Sequence, residues 1–301
     1  MIKDLNNKDK IKNVPFLVMS CEERLTAKGK PYLTGNISDP SGAIGFRVWD
    51  NATLMEPLLV PGLGVIVEEG AVDEYMGTLS ISITKASQLK DPEIIKGWKP
   101  QSYMTEQQLN EEMDALGAIL TKDGLNYKGM KEYIIKKYPD YFTIPAARGM
   151  HHVYERGLWT HSIEVAKACL AVAKLYEASP GVTIDKSILI LAALFHDIGK
   201  IKECNITSIG TLDDFTFAGE LLGHHIMGAL EILYIVGKTT HGEAISKERL
   251  INLQHCISAH HGRKEWGAAV EPKTPEALIV SYMDDISAKM EPLTNSFNNM
   301  I

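Results

Sequence analysis

Apolar and polar positions alternate through the first third of the chain and recur every three to four residues through the rest. Leu79, Ile81 and Ile83 interleave with Ser80, Ser82 and Thr84, the pattern of a strand with one face buried. Turn residues punctuate this region at Lys28-Gly29-Lys30-Pro31, Asp39-Pro40-Ser41-Gly42, Pro61-Gly62 and Met76-Gly77. The pattern predicts strands at 16–21, 32–38, 44–49, 64–71 and 79–86. Five short strands in so few residues fit a small closed β-barrel, and an oligonucleotide-binding barrel is one such solution.

Beyond residue 90 the period changes. Pro92 and Pro100 break a polar connector, and helices are predicted over 106–120, 127–137, 159–178, 186–195, 218–236, 247–259 and 275–289. Ser246 and Thr274 are placed as N-caps, with Pro275 in a first turn. The expected organisation is multidomain, α and β: a five-stranded barrel at 1–90, a connector with leading helices at 91–145, and an all-α domain at 146–301.

An apolar fraction of 45% in 301 residues supports a substantial core and excludes disordered and fibrous classes. The first residues lack the apolar run of a signal peptide, and the apolar stretch at 188–195 is too short to span a bilayer. Cys21, Cys169, Cys204 and Cys256 have no paired spacing and read as thiols of a reducing compartment. The expectation is a cytoplasmic protein without membrane contact. A formal charge of -7 argues against a large nonspecific nucleic-acid surface. Ten basic and eleven acidic side chains through Lys90 leave the barrel region nearly neutral, so a nucleic-acid reading needs a local patch. Rings at Tyr32, Phe46, Trp49 and Tyr75, with charge from Arg24, Lys28, Lys30 and Arg47, supply candidates for one. The competing reading is that the rings pack in the core and that Lys28-Gly29-Lys30 is only a solvated turn.

The chemistry is concentrated after residue 150. All ten histidines lie between His151 and His261. His196-Asp197-Ile198-Gly199-Lys200 ends an apolar run from Ile188 to Phe195, where burying two polar groups is costly unless each has a strong partner. Imidazoles and carboxylates so placed suit divalent metal. Adjacent helical positions point about 100° apart, so His196 and Asp197 are not expected to share one direction. Gly199 is expected to permit a tight backbone turn.

His161, the His196-Asp197 doublet with Gly199-Lys200, and Asp284 resemble the metal-dependent phosphohydrolases of the HD-domain class. His224 and His260 resemble the subset that holds two ions. The resemblance implies that His161, His196, Asp197 and Asp284 hold one ion, and that His224 and His260 hold a second with Asp197 bridging. It extends further. Pro145-Ala146-Ala147, His151-His152, Gly157-Leu158, Leu222-Gly223-His224, His260-His261-Gly262 and Pro272-Lys273-Thr274-Pro275-Glu276-Ala277 are similar to the YhaM family of 3′→5′ exoribonucleases. Its members join an oligonucleotide-binding barrel to an HD domain. Lys28-Gly29-Lys30-Pro31-Tyr32 and Val48-Trp49-Asp50 match the way that barrel reads. Three positions depart: Arg156 stands for a glycine, Ser287 for an aspartate and His225 for an aliphatic residue.

The function so implied is a metal-dependent 3′→5′ exonuclease releasing nucleoside monophosphates from single-stranded RNA, with single-stranded DNA a further candidate. Two ions are expected, Mn²⁺ leading and Fe²⁺, Co²⁺ or Zn²⁺ as alternatives. Asp197 and Lys200 are assigned to catalysis. Lys200 either neutralises phosphate or is a solvated helix-end lysine. Arg263, Lys264, His151, His152 and His261 are assigned to substrate, as are Tyr32, Trp49, Lys28, Lys30 and Arg47 on the barrel. The competing functions are a phosphohydrolase or phosphodiesterase on free or cyclic nucleotides, and a noncatalytic single-strand-binding protein. A homo-oligomer building a shared channel is compatible with each.

Overall fold

The computed structural model describes the whole chain except residues 27, 76, 96–97, 99–100, 148–151, 207–209, 211, 241–244 and 299–301. Strands β1 (Lys10–Ile11), β2 (Val14–Leu25), β3 (Pro31–Asp39), β4 (Gly42–Val48), β5 (Gly64–Tyr75) and β6 (Thr78–Gln88) form the N-terminal unit, with a single-turn α1 (Ala52–Met55) after β4. Antiparallel pairs run β5–β2–β3–β4 and β5–β6, and a parallel β4–β6 pairing closes five strands into a barrel. β1 adds only an edge pairing to β5. The alternation expected for β6 holds at its centre, with Ile81 and Ile83 buried inside and Thr84 facing out, but Ser80 is buried as well and Leu79 only partly so. Phe16, Val18, Leu33, Ile37, Phe46, Val48, Val65 and Val67 fill the interior with them.

The helical region comprises α2 (Glu106–Lys122), α3 (Tyr127–Lys137), α4 (Gly157–Tyr176), α5 (Lys186–Phe195), α6 (Lys200–Glu203), α7 (Phe217–Thr239), α8 (Lys247–Ala259) and α9 (Pro275–Asn298). Thr105 caps α2 through a reciprocal capping box with Gln108, and Ser246 caps α8 by accepting from the Arg249 N–H. Thr274 accepts from the Ala277 N–H at the start of α9, as expected. α5 is apolar on every side because it is buried on every side: α2, α4, α8 and α9 all pack on it. Each large apolar side chain so buried contributes roughly 1.5–3 kcal/mol. This helix is the axis on which the others are hung.

The expected all-α domain is not purely helical. β7 (Cys204–Ile206) and β8 (Leu212–Phe215) pair antiparallel as a short ribbon between α6 and α7. Two β-strands of three and four residues fall below the length at which alternation can be read. No described helix is long and apolar enough to cross a membrane.

Candidate metal centre

Five helices deliver six side chains to one point. α4 carries His161, the end of α5 carries His196 with Asp197 just beyond, α7 carries His224, the end of α8 carries His260, and α9 carries Asp284. Three of them meet closely: His161 Nε2 lies 3.2 Å from His196 Nε2 and 3.0 Å from Asp284 Oδ1. Asp197 stands between two sets. Its Oδ2 is 3.3 Å from His196 Nε2 and 3.8 Å from His161 Nε2, while its Oδ1 is 3.5 Å from both His224 Nε2 and His260 Nε2.

His196 and Asp197 both reach the centre, although neighbouring helical positions do not share one direction. α5 ends at Phe195, and Ile198 N–H and Lys200 N–H bond back three residues, to Phe195 and Asp197. The chain turns here at the edge of the centre, so the two side chains reach it from different directions, His196 from the side of His161 and Asp197 from between the two histidine sets. Gly199 works differently from expected. Its φ is an ordinary -65°, but a Cβ there would lie 2.0 Å from the His224 carbonyl oxygen, so glycine admits α7 against the turn. Gly223 is where backbone freedom matters: its φ of 67° breaks α7, and the helix restarts at His224.

The ring nitrogens turned away from the centre are all engaged. His196 Nδ1 bonds the Ala193 carbonyl at 2.8 Å and His260 Nδ1 the Ile257 carbonyl at 2.7 Å. A carbonyl only accepts, so Nδ1 carries the proton and Nε2 is left for the site. His224 donates from Nδ1 to Glu203 Oε1 at 2.7 Å, and its backbone N–H donates to the same oxygen. His161 Nδ1 meets the Ser287 hydroxyl at 3.0 Å, which in turn donates to Glu164 Oε2 at 2.9 Å. Serine at 287 thus passes the histidine on to a carboxylate from α4 itself. Glu203 and Glu164 were not anticipated. Nothing in their local sequence marks them, since each acts across elements.

The electrostatics ask for a cation. Burial resists ionising Asp197, but Lys200 and His196 outweigh it and hold the carboxyl well below its usual range. Burial likewise resists charge on Asp284, and the His161 and His196 bonds again prevail. Burial pushes His161, His260 and His261 down, which favours their neutral forms. His196 is the exception: burial opposes its charge, yet Asp197 and Asp284 lift it to about 10. Asp197 Oδ1, His224 Nε2 and His260 Nε2 are buried without a hydrogen-bond partner. Each such atom costs about 1–3 kcal/mol unless something satisfies it. A divalent cation fits this donor set.

The remaining anticipated residues divide. Lys200 is not a solvated helix end: its Nζ is held by Asp197 Oδ2 at 2.6 Å and the Ala146 carbonyl at 2.7 Å. His152 is buried with Nδ1 on the Tyr154 hydroxyl and Nε2 3.4 Å from Glu164. His261 borders the ligands, and Arg263 and Lys264 are exposed just beyond it. His151 lies outside the described residues. On the barrel, Tyr32 and Trp49 stack with centroids 4.7 Å apart, and the Arg47 guanidinium lies 5.9 Å from the Trp49 ring. Lys30 is paired with Asp50, Arg24 with Glu22, and Lys28 is exposed. Phe46 is core, only 1% exposed, and cannot stack a base. Tyr75 is exposed on β5.

The HD domain model matches residues 158–289, a span that includes all six converging side chains. The 3′-5′ exoribonuclease YhaM of Bacillus subtilis (strain 168) is 27% identical over 289 residues, covering 95% of this chain and 87% of that protein. The same-named protein of Geobacillus sp. (strain WCH70) is 26% identical over 292 residues, covering 96% and 85%. Among solved structures, the OB domain of a Methanosarcina mazei protein is similar at 23% identity and a TM-score of 0.27, covering 35% of this chain and 94% of that one. The chain thus joins a closed five-stranded barrel to an HD domain and is similar to these YhaM exoribonucleases along nearly its whole length.

Proposed function

We propose that this protein is a metal-dependent 3′→5′ exonuclease that shortens single-stranded RNA and releases nucleoside monophosphates. The observation that carries the reading is Asp197, whose two oxygens face two separate sets of imidazoles from the one buried position. Divalent ions would be held by His161, His196 and Asp284 on one side of Asp197 and by His224 and His260 on the other. When bound, they would supply polarisation of the scissile phosphate and a lowered pKa for an attacking water. Lys200 anchors the bridging carboxylate, whose charge it offsets. His261, Arg263 and Lys264 flank the ligands and meet the phosphate backbone, and His152 braces Glu164. Mn²⁺ is the leading metal by family likeness.

Capture of the strand falls to the barrel, residues 1–90, where Tyr32, Trp49 and Arg47 form one stacked aromatic and cationic patch with Lys28 and Lys30 nearby. That patch favours a strand over a free nucleotide as substrate, and single-stranded DNA offers it the same chemistry. Hydrolysis falls to residues 146–301, with 91–145 connecting. The four cysteines, all present as thiols, suit a cytoplasmic setting. Leu278, Tyr282, Ile286 and Met290 stand four apart along α9, all exposed, and support assembly with further copies of the chain.

Turnover of 5′-labelled single-stranded RNA, with Mn²⁺, with chelator, and beside Asp197→Ala, tests the proposal. A ladder shortening from the 3′ end and absent from both controls is expected. Intact RNA with every divalent metal, from protein shown to be folded, overturns it.

A further inference from the structure

His224 and His260 are not alone on their side of Asp197. His225 and His261 stand with them, and one ligating atom from each of the four rings lies within 4.8 Å of the other three. His225 stacks on His224 with centroids 4.0 Å apart and on His260 at 4.7 Å, and meets His261 edge-on at 4.2 Å. Only 7% of His225 is exposed, and its Nε2 is buried without a hydrogen-bond partner. His261 Nδ1 bonds the Trp266 carbonyl at 2.9 Å, so it carries the proton and leaves a lone pair on Nε2. His224 and His260 are oriented the same way, by Glu203 and by the Ile257 carbonyl.

Packing four imidazoles face to face and edge to face is an odd way to build a core. Lone pairs that face one another repel, and each unsatisfied one costs about 1–3 kcal/mol. A shared cation removes both costs. Ligand atoms about 2.1 Å from one ion lie no more than about 4.2 Å apart, so a spread of 4.8 Å closes with small side-chain movements.

We propose that His225, together with His261 in place of the substrate contact assigned to it above, is a ligand in a nitrogen-rich second pocket formed with His224 and His260 beside Asp197. This rests on the two-ion reading above and adds a preference to it. The pocket of His161, His196, Asp197 and Asp284 offers two imidazoles and two carboxylates, a mix that accepts Mn²⁺. The pocket around His225 is dominated by imidazole and selects borderline cations, Zn²⁺, Co²⁺ or Fe²⁺, over Mn²⁺. The chain then holds two unlike ions. His225, a fourth imidazole stacked on His224 and His260, makes the difference.

The test uses full-length protein loaded with Co²⁺ and followed by its visible absorption spectrum, with Zn²⁺ and Mn²⁺ affinities and bound-metal stoichiometry measured alongside. Wild type, His225→Leu, His261→Ala and Asp197→Ala are compared, each checked for fold by circular dichroism. His225→Leu is expected to change the Co²⁺ spectrum and weaken the second Zn²⁺ or Co²⁺ ion at least tenfold, with the first ion and Mn²⁺ binding nearly unchanged. His261→Ala shifts the same ion in the same direction, which keeps the test alive if His225→Leu is misfolded. Spectra and affinities unchanged in every folded variant overturn this inference alone. A wild type that takes up no metal, or takes up as much as Asp197→Ala, overturns the two-ion reading with it.

Discussion

Glu203 Oε1 accepts from His224 twice, from the ring Nδ1 at 2.7 Å and from the backbone N–H at 2.9 Å. One carboxylate thus caps the restarted half of α7 and sets the ring of the residue that begins it. Without Glu203 the ring loses its orientation and the helix its first acceptor. Glu203→Ala is expected to weaken the second ion about 10- to 100-fold. Metal titration by calorimetry reads this directly. Glu203→Gln, whose amide oxygen still accepts, should recover much of the loss.

His161 depends on Ser287 and, through it, on Glu164. If the three act as one chain, Ser287→Ala and Glu164→Gln each weaken the first ion, and the double variant is little worse than either alone. Full additivity in the metal affinities would show that the two residues act separately.

The stacked pair on the barrel makes a different prediction. Trp49→Ala should cost about 1–3 kcal/mol of single-strand affinity, seen as a raised KM for RNA with kcat nearly constant. Hydrolysis of a substrate too short to reach the barrel should be unaffected. Equal loss on both substrates would place Trp49 in the chemistry or the fold instead of strand capture.

Away from the site, Lys137 Nζ bonds Glu231 Oε1 at 2.9 Å and Lys202 bonds its other oxygen, tying α3 and α6 to α7. Burial opposes ionising Glu231, but the two lysines outweigh it and hold its carboxyl below the ordinary 4.5. A depressed folded-state value means stability that is complete above about pH 4.5 and lost as the pH falls through the folded value. Glu231→Gln is expected to lower stability at pH 7 by about 1–2 kcal/mol, since the lysines are partly exposed. It should also flatten the fall of Tm with acid. A parallel fall in both proteins would assign the acid sensitivity elsewhere.

Much of this protein could be read before any coordinates. The strand pattern of Leu79 to Thr84 and the seven helical segments came from local periodicity, because alternation and 3.6-residue spacing are imposed on the sequence by burial of one face. The six converging side chains were named through resemblance, since His and Asp are conspicuous at the edge of an apolar run. Arg47 and Trp49 were named for the barrel; Phe46, just before Arg47, was open to either a stacking or a core role, and alternation turns it inward.

What the sequence by itself determined is the kind of elements, their order and the donor types available for chemistry. The tertiary structure decided which donors meet. That Asp197 faces two histidine sets, that Gly199 makes room for α7, that Glu203 aims His224 and that His225 joins His261 all depend on elements far apart in the chain. Such contacts are set by helix crossing and close packing, and no local period records them.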